Sequence, residues 1–436
     1  MMVSKKESEF LDNSIIVNDN NGKISIEHII FCFFLMPVVS VLLIITPYNA
    51  PVNFILGTIK GQKGYLILAI FAISILFFIF KIPSLKYDGI FFLLLLKSFH
   101  FFLIVLITGQ YGYITHIQGA LEMLLTAIIP PYIYICFSNF KVLNLKKILV
   151  FVLVFISIVL SIQIIVNTIF LVFFNGVSIL HIKDAWVSAL GRSNALASYI
   201  LLCYFGIYKI ASFRFKNCIF FLLVLSLLLT FSRGGLATFI IIILFDKIFL
   251  KKLAINAQER IHKTIIIPLL VFILLILVIP DSVKNDAVSL LTGSLYNNNS
   301  LNKISTGRID IYIRSWNLFL NSPIYGYGIE KSLVDTGYAH NWVLEALLQQ
   351  GLVGTILFIC TLAVMFKKIS GFFTKDRVVF SCTISLAAII LHGMVEPNLF
   401  SLGIDTIYWF IAGTCMAYVK QVYGESKILG EGVGLK

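Results

Sequence analysis

Charge is scarce in this chain. Only 13% of its 436 residues are charged, whereas a soluble domain carries roughly a quarter. There are too few polar groups to cover a water-facing surface, which excludes an ordinary soluble globule. Acid is scarcer than base, with 21 Asp and Glu against 34 Lys and Arg. In a soluble protein that surplus would raise nucleic acid as a partner; here the placement of the charges, below, argues for no nucleic acid. The seven cysteines (Cys32, Cys136, Cys203, Cys218, Cys360, Cys382 and Cys415) all fall within or at the ends of apolar runs. That excludes a disulfide framework and zinc-ligand spacing, and predicts buried small hydrophobes. Phosphate-cradling GxxxxGK[ST], HExxH and GxSxG are missing, as is an outward DxD pair to hold a metal–nucleotide. No metal or other cofactor is indicated.

Apolar residues make up 59% of the chain, and mean hydropathy is +0.96. They fall in runs at 29–46, 64–80, 88–108, 119–137, 148–174, 191–210, 217–231, 234–250, 264–280, 341–365, 378–395 and 403–420. Most reach the ~20 residues a helix needs to cross ~30 Å of hydrocarbon. The fold class predicted is an all-α polytopic membrane protein of about twelve transmembrane helices. Its expected organisation is a polar N-terminal tail over 1–28, a membrane domain over 29–280, a large outer loop over 281–340 between the ninth and tenth spans, a second membrane part over 341–420, and a tail over 421–436. The first span follows a polar tail and has no small-residue cleavage site, so it does not read as a signal peptide. Most Lys and Arg lie in the segments that are inward if the N-terminus is cytoplasmic. This positive-inside bias places both termini in the cytoplasm and the long loop outside. Lys97, His100 and Glu122 interrupt the apolar spans and are expected to face a cavity or one another.

Four motifs place cationic or titratable groups at the outer ends of helices. Gly191-Arg192-Ser193-Asn194 opens the sixth span, Ser232-Arg233-Gly234-Gly235 the eighth, and His340-Asn341 the tenth. Within the loop, Thr306-Gly307-Arg308 precedes a stretch whose apolar residues Ile309, Ile313, Trp316 and Leu320 have helical spacing, stopped by Asn321-Ser322-Pro323. That amphipathic helix suits a position flat on the membrane surface. Helix N-termini carry unpaired N–H donors and a partial positive charge, so several of them beside Arg or His make a phosphate or pyrophosphate site. An arginine at a span end is more often a snorkelling anchor. On the outer side, however, it runs against the charge bias, and its guanidinium fork matches a diphosphate. Ser232 is placed to cap its helix, and Gly234 and Gly235 are expected to let a head group approach the backbone. His340 is the candidate general base. Asn341, Glu345 and Gln349 continue below it on one helical stripe, with Glu345 as an orienting group. Ile324-Tyr325-Gly326-Tyr327-Gly328 lacks the pore helix of an ion filter. It reads as a flexible turn in which Tyr325 and Tyr327 stack on sugars.

These motifs, continued by His340-Asn341-Trp342-Val343-Leu344 and Gln350-Gly351-Leu352-Val353-Gly354, resemble the O-antigen ligase/polymerase superfamily of bacterial envelope glycosyltransferases over roughly 190–360. The resemblance implies a fold related to the C-type glycosyltransferases, in the bacterial inner membrane, with the active site on the periplasmic side. It implies an undecaprenyl-diphosphate-linked oligosaccharide as substrate, used without metal or nucleotide. Arg233 and Arg308 would bind the donor diphosphate and His340 would activate the acceptor hydroxyl; Arg192, Asn341, Glu345, Tyr325 and Tyr327 would be substrate-binding. The first reading is an O-antigen polymerase that inverts the anomeric centre. The alternative is an O-antigen ligase delivering glycan to the lipid A core. A lipid-linked glycan transporter or flippase stands behind both, since neither paired halves nor a midplane row of cations is present. Membrane lipids are expected partners, and a polysaccharide chain-length regulator is a possible one.

Overall fold

The computed structural model describes residues 87–107, 117–139, 145–169, 193–210, 215–249, 308–328, 339–396 and 402–424. The spans expected at 29–46, 64–80 and 264–280, the N-terminal tail, Arg192, the Glu122 side chain and much of the outer loop lie outside the described residues. Every regular element among those residues is a helix. They are α1 (Gly89–Ile107), α2 (Ile117–Ser138), α3 (Leu145–Ile169), α4 (Ser193–Ile207), α5 (Lys216–Leu229), α6 (Arg233–Phe249), α7 (Arg308–Asn321), α8 (Trp342–Ser370), α9 (Arg377–His392) and α10 (Leu402–Tyr423). All but α7 coincide with expected apolar spans. Two, α3 and α8, are long and apolar enough to cross a membrane on those grounds alone.

The helices are apolar on nearly all sides, so what separates core from exterior is packing. Almost the whole of α4 is buried. It packs against α9 and α3 and touches α5, α6 and α10. The closest other pairings are α10 with α2 and α8 with α1. At the first of these a Cβ on Gly413 would lie 2.9 Å from Phe137 Cβ, so glycine lets the backbones approach. The rings of Phe137 and Phe410 meet edge to face there, 4.7 Å apart. The outer surface is also apolar: Phe92, Leu95 and Phe99 on α1, Phe151 and Ile162 on α3, Ile240 and Leu244 on α6, and Ile356 and Ile359 on α8 are all exposed. A water-soluble bundle does not carry so much exposed aliphatic surface. A membrane protein does. Cys218 and Cys360 belong to this exposed set, contrary to the expectation that every cysteine is buried; Cys136, Cys203, Cys382 and Cys415 are buried as expected. Lys97 lies buried with its Nζ 4.9 Å from the centre of the Phe358 ring on α8.

One end of the bundle is held by carboxylates. Asp246 of α6 accepts from the Tyr208 hydroxyl at 2.8 Å and pairs with Lys209 Nζ at 3.1 Å, both partners following α4. Asp88 accepts from the Tyr134 hydroxyl at 2.7 Å and faces Lys368 Nζ at 3.5 Å, joining α1, α2 and α8. Asp376 caps α9 and accepts from the hydroxyls of Tyr418 and Tyr423 on α10. The opposite end collects the N-termini of α4, α6, α7 and α8.

Asp246→Ala would leave the Lys209 ammonium, only 8% exposed, without its anion. Removing one member of a buried pair costs about 3–5 kcal/mol. Thermal unfolding of the purified variant in detergent is therefore expected at clearly lower temperature, whereas Lys209→Met with Asp246→Leu recovers much of the loss. An unshifted midpoint in the single variant would remove this clamp from the account.

Candidate active site

The site is built at the end where those N-termini gather, and each element presents its side chain for a local reason. Helix α5 ends in a turn whose Phe231 has φ 51°, the left-handed residue that usually follows a helix and is usually glycine. This turn delivers Ser232, whose hydroxyl oxygen accepts from Gly235 N at 3.2 Å and caps α6 as expected. Arg233 is the first residue of α6. The Ser232 hydroxyl also donates to Asn194 Oδ1 at 2.8 Å, in the first turn of α4. At α8 the cap is Asn341, whose side chain accepts from the N–H groups of Val343 and Leu344 and donates to Met394 O at 3.2 Å. Trp342 N donates to Gly393 O at 2.8 Å. These two bonds dock the end of α9 beside His340 and so place Glu396.

Glu396 is the centre of the arrangement. Its Oε2 accepts from Asn194 Nδ2 at 2.9 Å, lies 3.1 Å from His340 Nδ1, and faces Arg308 Nη2 at 3.6 Å. Burial works to raise its carboxyl, but the hydrogen bond from His340 and the charges of His340, Arg308 and His392 outweigh it and hold the group below the ordinary glutamate value. An ionised carboxylate can only accept, so a proton on His340 Nδ1 faces Glu396, and in the neutral ring Nε2 is the nitrogen with the lone pair. His340 itself has φ 49°. It and Phe231 are the non-glycine residues at positive φ among the described residues, and both border this site. Backbone held in such conformations gathers at functional sites.

Helix α7 begins at Arg308, as the spacing predicted, and ends in the expected stop. Ser315 and Phe319 face the protein, with Phe319 against Ala339, Leu347 and Leu348. The stripe of Ile313, Trp316 and Leu320 points away from it and is exposed. Near its start, the Tyr312 hydroxyl donates to His340 O at 3.2 Å. Burial, against the pull of Arg308, raises that phenol above its ordinary value and keeps it a donor.

The structure thus brings Arg308 and His340 onto one carboxylate oxygen, with Arg233 next in sequence to the Ser232 that reaches the same oxygen through Asn194. Other candidates sit elsewhere. Glu345 is buried, accepting from Ala339 N at 2.8 Å and from Gln349 Nε2 at 2.6 Å; it steadies the residue before His340. Tyr325 is exposed, and the Tyr327 N–H donates to Leu348 O at 2.7 Å. The turn holding these tyrosines was expected to be flexible but is hydrogen-bonded to α8. Nor do Gly234 and Gly235 open toward a head group. A Cβ on Gly234 would lie 2.5 Å from Val395 Cγ2, and one on Gly235 would lie 2.7 Å from Ala197 Cβ, so these glycines admit neighbouring helices. Glu396 and the buried His392, whose Nδ1 lies 2.7 Å from the Ser198 hydroxyl, were missed, and Asn194 was expected only as the last residue of the motif that opens the sixth span. The one available signal was an acid beside Pro397, on the side where cations had already been noted.

Residues 218–359 match a family model described as O-antigen ligase. The match covers less than half of the chain and supports a relation to the O-antigen ligase/polymerase superfamily. The matched segment contains Arg233, Arg308 and His340, whereas Glu396 and Asn194 lie outside it. No curated protein matches the chain. The match supports a glycosyltransferase-like activity in O-antigen and lipopolysaccharide biosynthesis, together with membrane character.

Because the Glu396 carboxyl is depressed, its stabilising effect is present above the ordinary glutamate value and disappears as pH falls through the folded one. The melting temperature of the native protein should exceed that of Glu396→Gln near neutrality, and the gap should close on acidification. A gap independent of pH would mean that the charge of Glu396 does not hold this end together.

Proposed function

We propose that the protein transfers glycan from undecaprenyl diphosphate to the sugar hydroxyl of another lipid-linked repeat unit, as an O-antigen polymerase. The observation that carries this reading is the meeting of Arg308 and His340 on Glu396 Oε2. A base with a fixed tautomer stands beside a guanidinium, at the shared end of several helix N-termini. His340 Nε2 takes the proton of the acceptor hydroxyl as that oxygen attacks the anomeric carbon. The bond from that carbon to the diphosphate oxygen breaks, and its electron pair stays on the leaving group. Arg308 has donors beyond the Nη2 that faces Glu396, and with Arg233 it takes up the developing negative charge. Such a direct displacement inverts the anomeric centre and needs no metal. Arg192 is assigned to substrate binding, as are Tyr325 and Tyr327, which reach the growing glycan from the outer strap.

The reading includes about twelve spans in the bacterial inner membrane, a relation to the C-type glycosyltransferases, both termini in the cytoplasm and the site on the periplasmic side. The exposed stripe of α7 then lies in the periplasmic-side interface of that membrane. A chain-length regulator would meet the lateral apolar surface. Transfer to lipid A core is the second reading, favoured by the description of the matching family.

Purified protein incubated in detergent with lipid-linked repeat units should lengthen the glycan, which a flippase, needing two compartments, does not do. Arg308→Ala and His340→Ala should each lower product by at least a hundredfold while the protein inserts normally. Full activity in both variants refutes the assignment. Loss of the gene separates the two transferases: without a polymerase one repeat unit remains attached to the core, and without a ligase none does.

A further inference from the structure

Helix α8 is broken at Gly351, which has φ 62° and ψ −167°, a conformation essentially confined to glycine. A break releases main-chain groups on both sides, and inside a membrane protein these must find partners. They find them in the strap at 323–327 that follows α7. Leu348 O accepts from Tyr327 N at 2.7 Å, Leu352 N donates to Pro323 O at 2.8 Å, and Val353 N donates to Ile324 O at 3.5 Å. The strap is closed on itself by Gly326 N to Ser322 O and by the Ser322 hydroxyl to Gly326 O, both at 3.0 Å. Gly326, with φ 74°, sits against the break, and a Cβ there would lie 2.6 Å from Gly351 N. A Cβ on Gly351 would collide with the Ile324 carbonyl. Two glycines face each other because neither side of this splice has room for a side chain.

The splice fixes the far end of a lever. Helix α7 has 14 residues, about 21 Å at 1.5 Å each, with Arg308 at the end remote from the strap. A turn of ten degrees about the strap would carry Arg308 about 3–4 Å, enough to separate it from Glu396. We infer that Gly351 and Gly326 are positioning residues for Arg308: the main-chain splice sets the angle at which α7 holds its guanidinium beside His340. The inference rests on the diphosphate role proposed above for Arg308.

A double-mutant cycle tests it, since two changes acting through one contact do not multiply. The probe is binding of a glycan-free polyprenyl diphosphate to purified full-length protein, alongside turnover on lipid-linked repeats. Gly351→Ala and Arg308→Ala should each weaken binding about tenfold, and together little more than either alone. In an Arg233→Ala background, Gly351→Ala should keep its full effect. Leu352→Pro is the milder second variant. It removes the N–H given to Pro323 O and sets the ring Cδ against that oxygen, at the first residue after the break, where the helix itself accepts proline. It should behave alike, and it carries the cycle if Gly351→Ala does not fold. Gly371→Ala, in open space, should bind and turn over normally. Full multiplication of Gly351→Ala or Leu352→Pro with Arg308→Ala overturns the splice and leaves the enzyme reading intact. Unchanged binding in Arg308→Ala itself overturns both.

Discussion

The Glu396 carboxylate is the constraint on which the functional end of the molecule depends. Asn194 and Glu396 are 202 positions apart in sequence, and His340 and Glu396 are 56 apart; with Arg308 they meet on one oxygen. The gathered N-termini of α4, α6, α7 and α8 point partial positive charge toward this region, and Arg233 and Arg308 add full charge. Without an anion among them these elements would repel. With it, α4 and α7 and the start of α8 are drawn to the end of α9, which is itself fixed by the bond from Trp342 N to Gly393 O. Position follows from charge here, because apolar packing between helices that are apolar on all sides has little directional preference.

Contrast with the opposite end sharpens the point. Asp88, Asp246 and Asp376 also join helices, but their partners are tyrosine hydroxyls, lysine ammonium groups and a helix N-terminus. Such partners clamp the helices without presenting a general base. Glu396 instead takes an imidazole, the side chain most often used as a general base, and it does so where His340 and Phe231 are held at positive φ. The two ends use one kind of bond for different purposes, and the identity of the partner separates them.

Much of this was legible in the sequence, and what was not has physical causes. The spans from 88–108 onward that fall on described residues match helices, because a long apolar run has one satisfactory backbone in lipid. Helix α7 announced itself by the spacing from Ile309 to Leu320 and by its stop. Ser232 announced itself as a cap. Glu396 did not, because an acid after an apolar run reads as a loop residue until its partners are folded against it. The pair Gly234 and Gly235 was misread since a glycine needed for helix contact and one needed for a ligand look the same in sequence. Gly351 was hidden in a different way. It sits inside an expected span, directly after Gln349 and Gln350, and only the strap from 323–327 reveals that the helix is interrupted there.

The same carboxylate has two demands to meet in the proposed displacement, and the distances indicate how both are met. His340 Nδ1 lies at 3.1 Å, a hydrogen bond that fixes the tautomer before reaction and stabilises the imidazolium after Nε2 has taken the acceptor proton. Arg308 Nη2 lies at 3.6 Å, beyond the 2.7–2.9 Å of a charge-assisted hydrogen bond. A tight bidentate pair with Glu396 would occupy the guanidinium fork and set the carboxylate against the diphosphate for the same donors. The looser separation gives Glu396 the positional effect of the ion pair while leaving the fork able to turn to a leaving diphosphate. Histidine is held firmly because its orientation decides which nitrogen is basic, and arginine is held loosely because its donors are needed elsewhere.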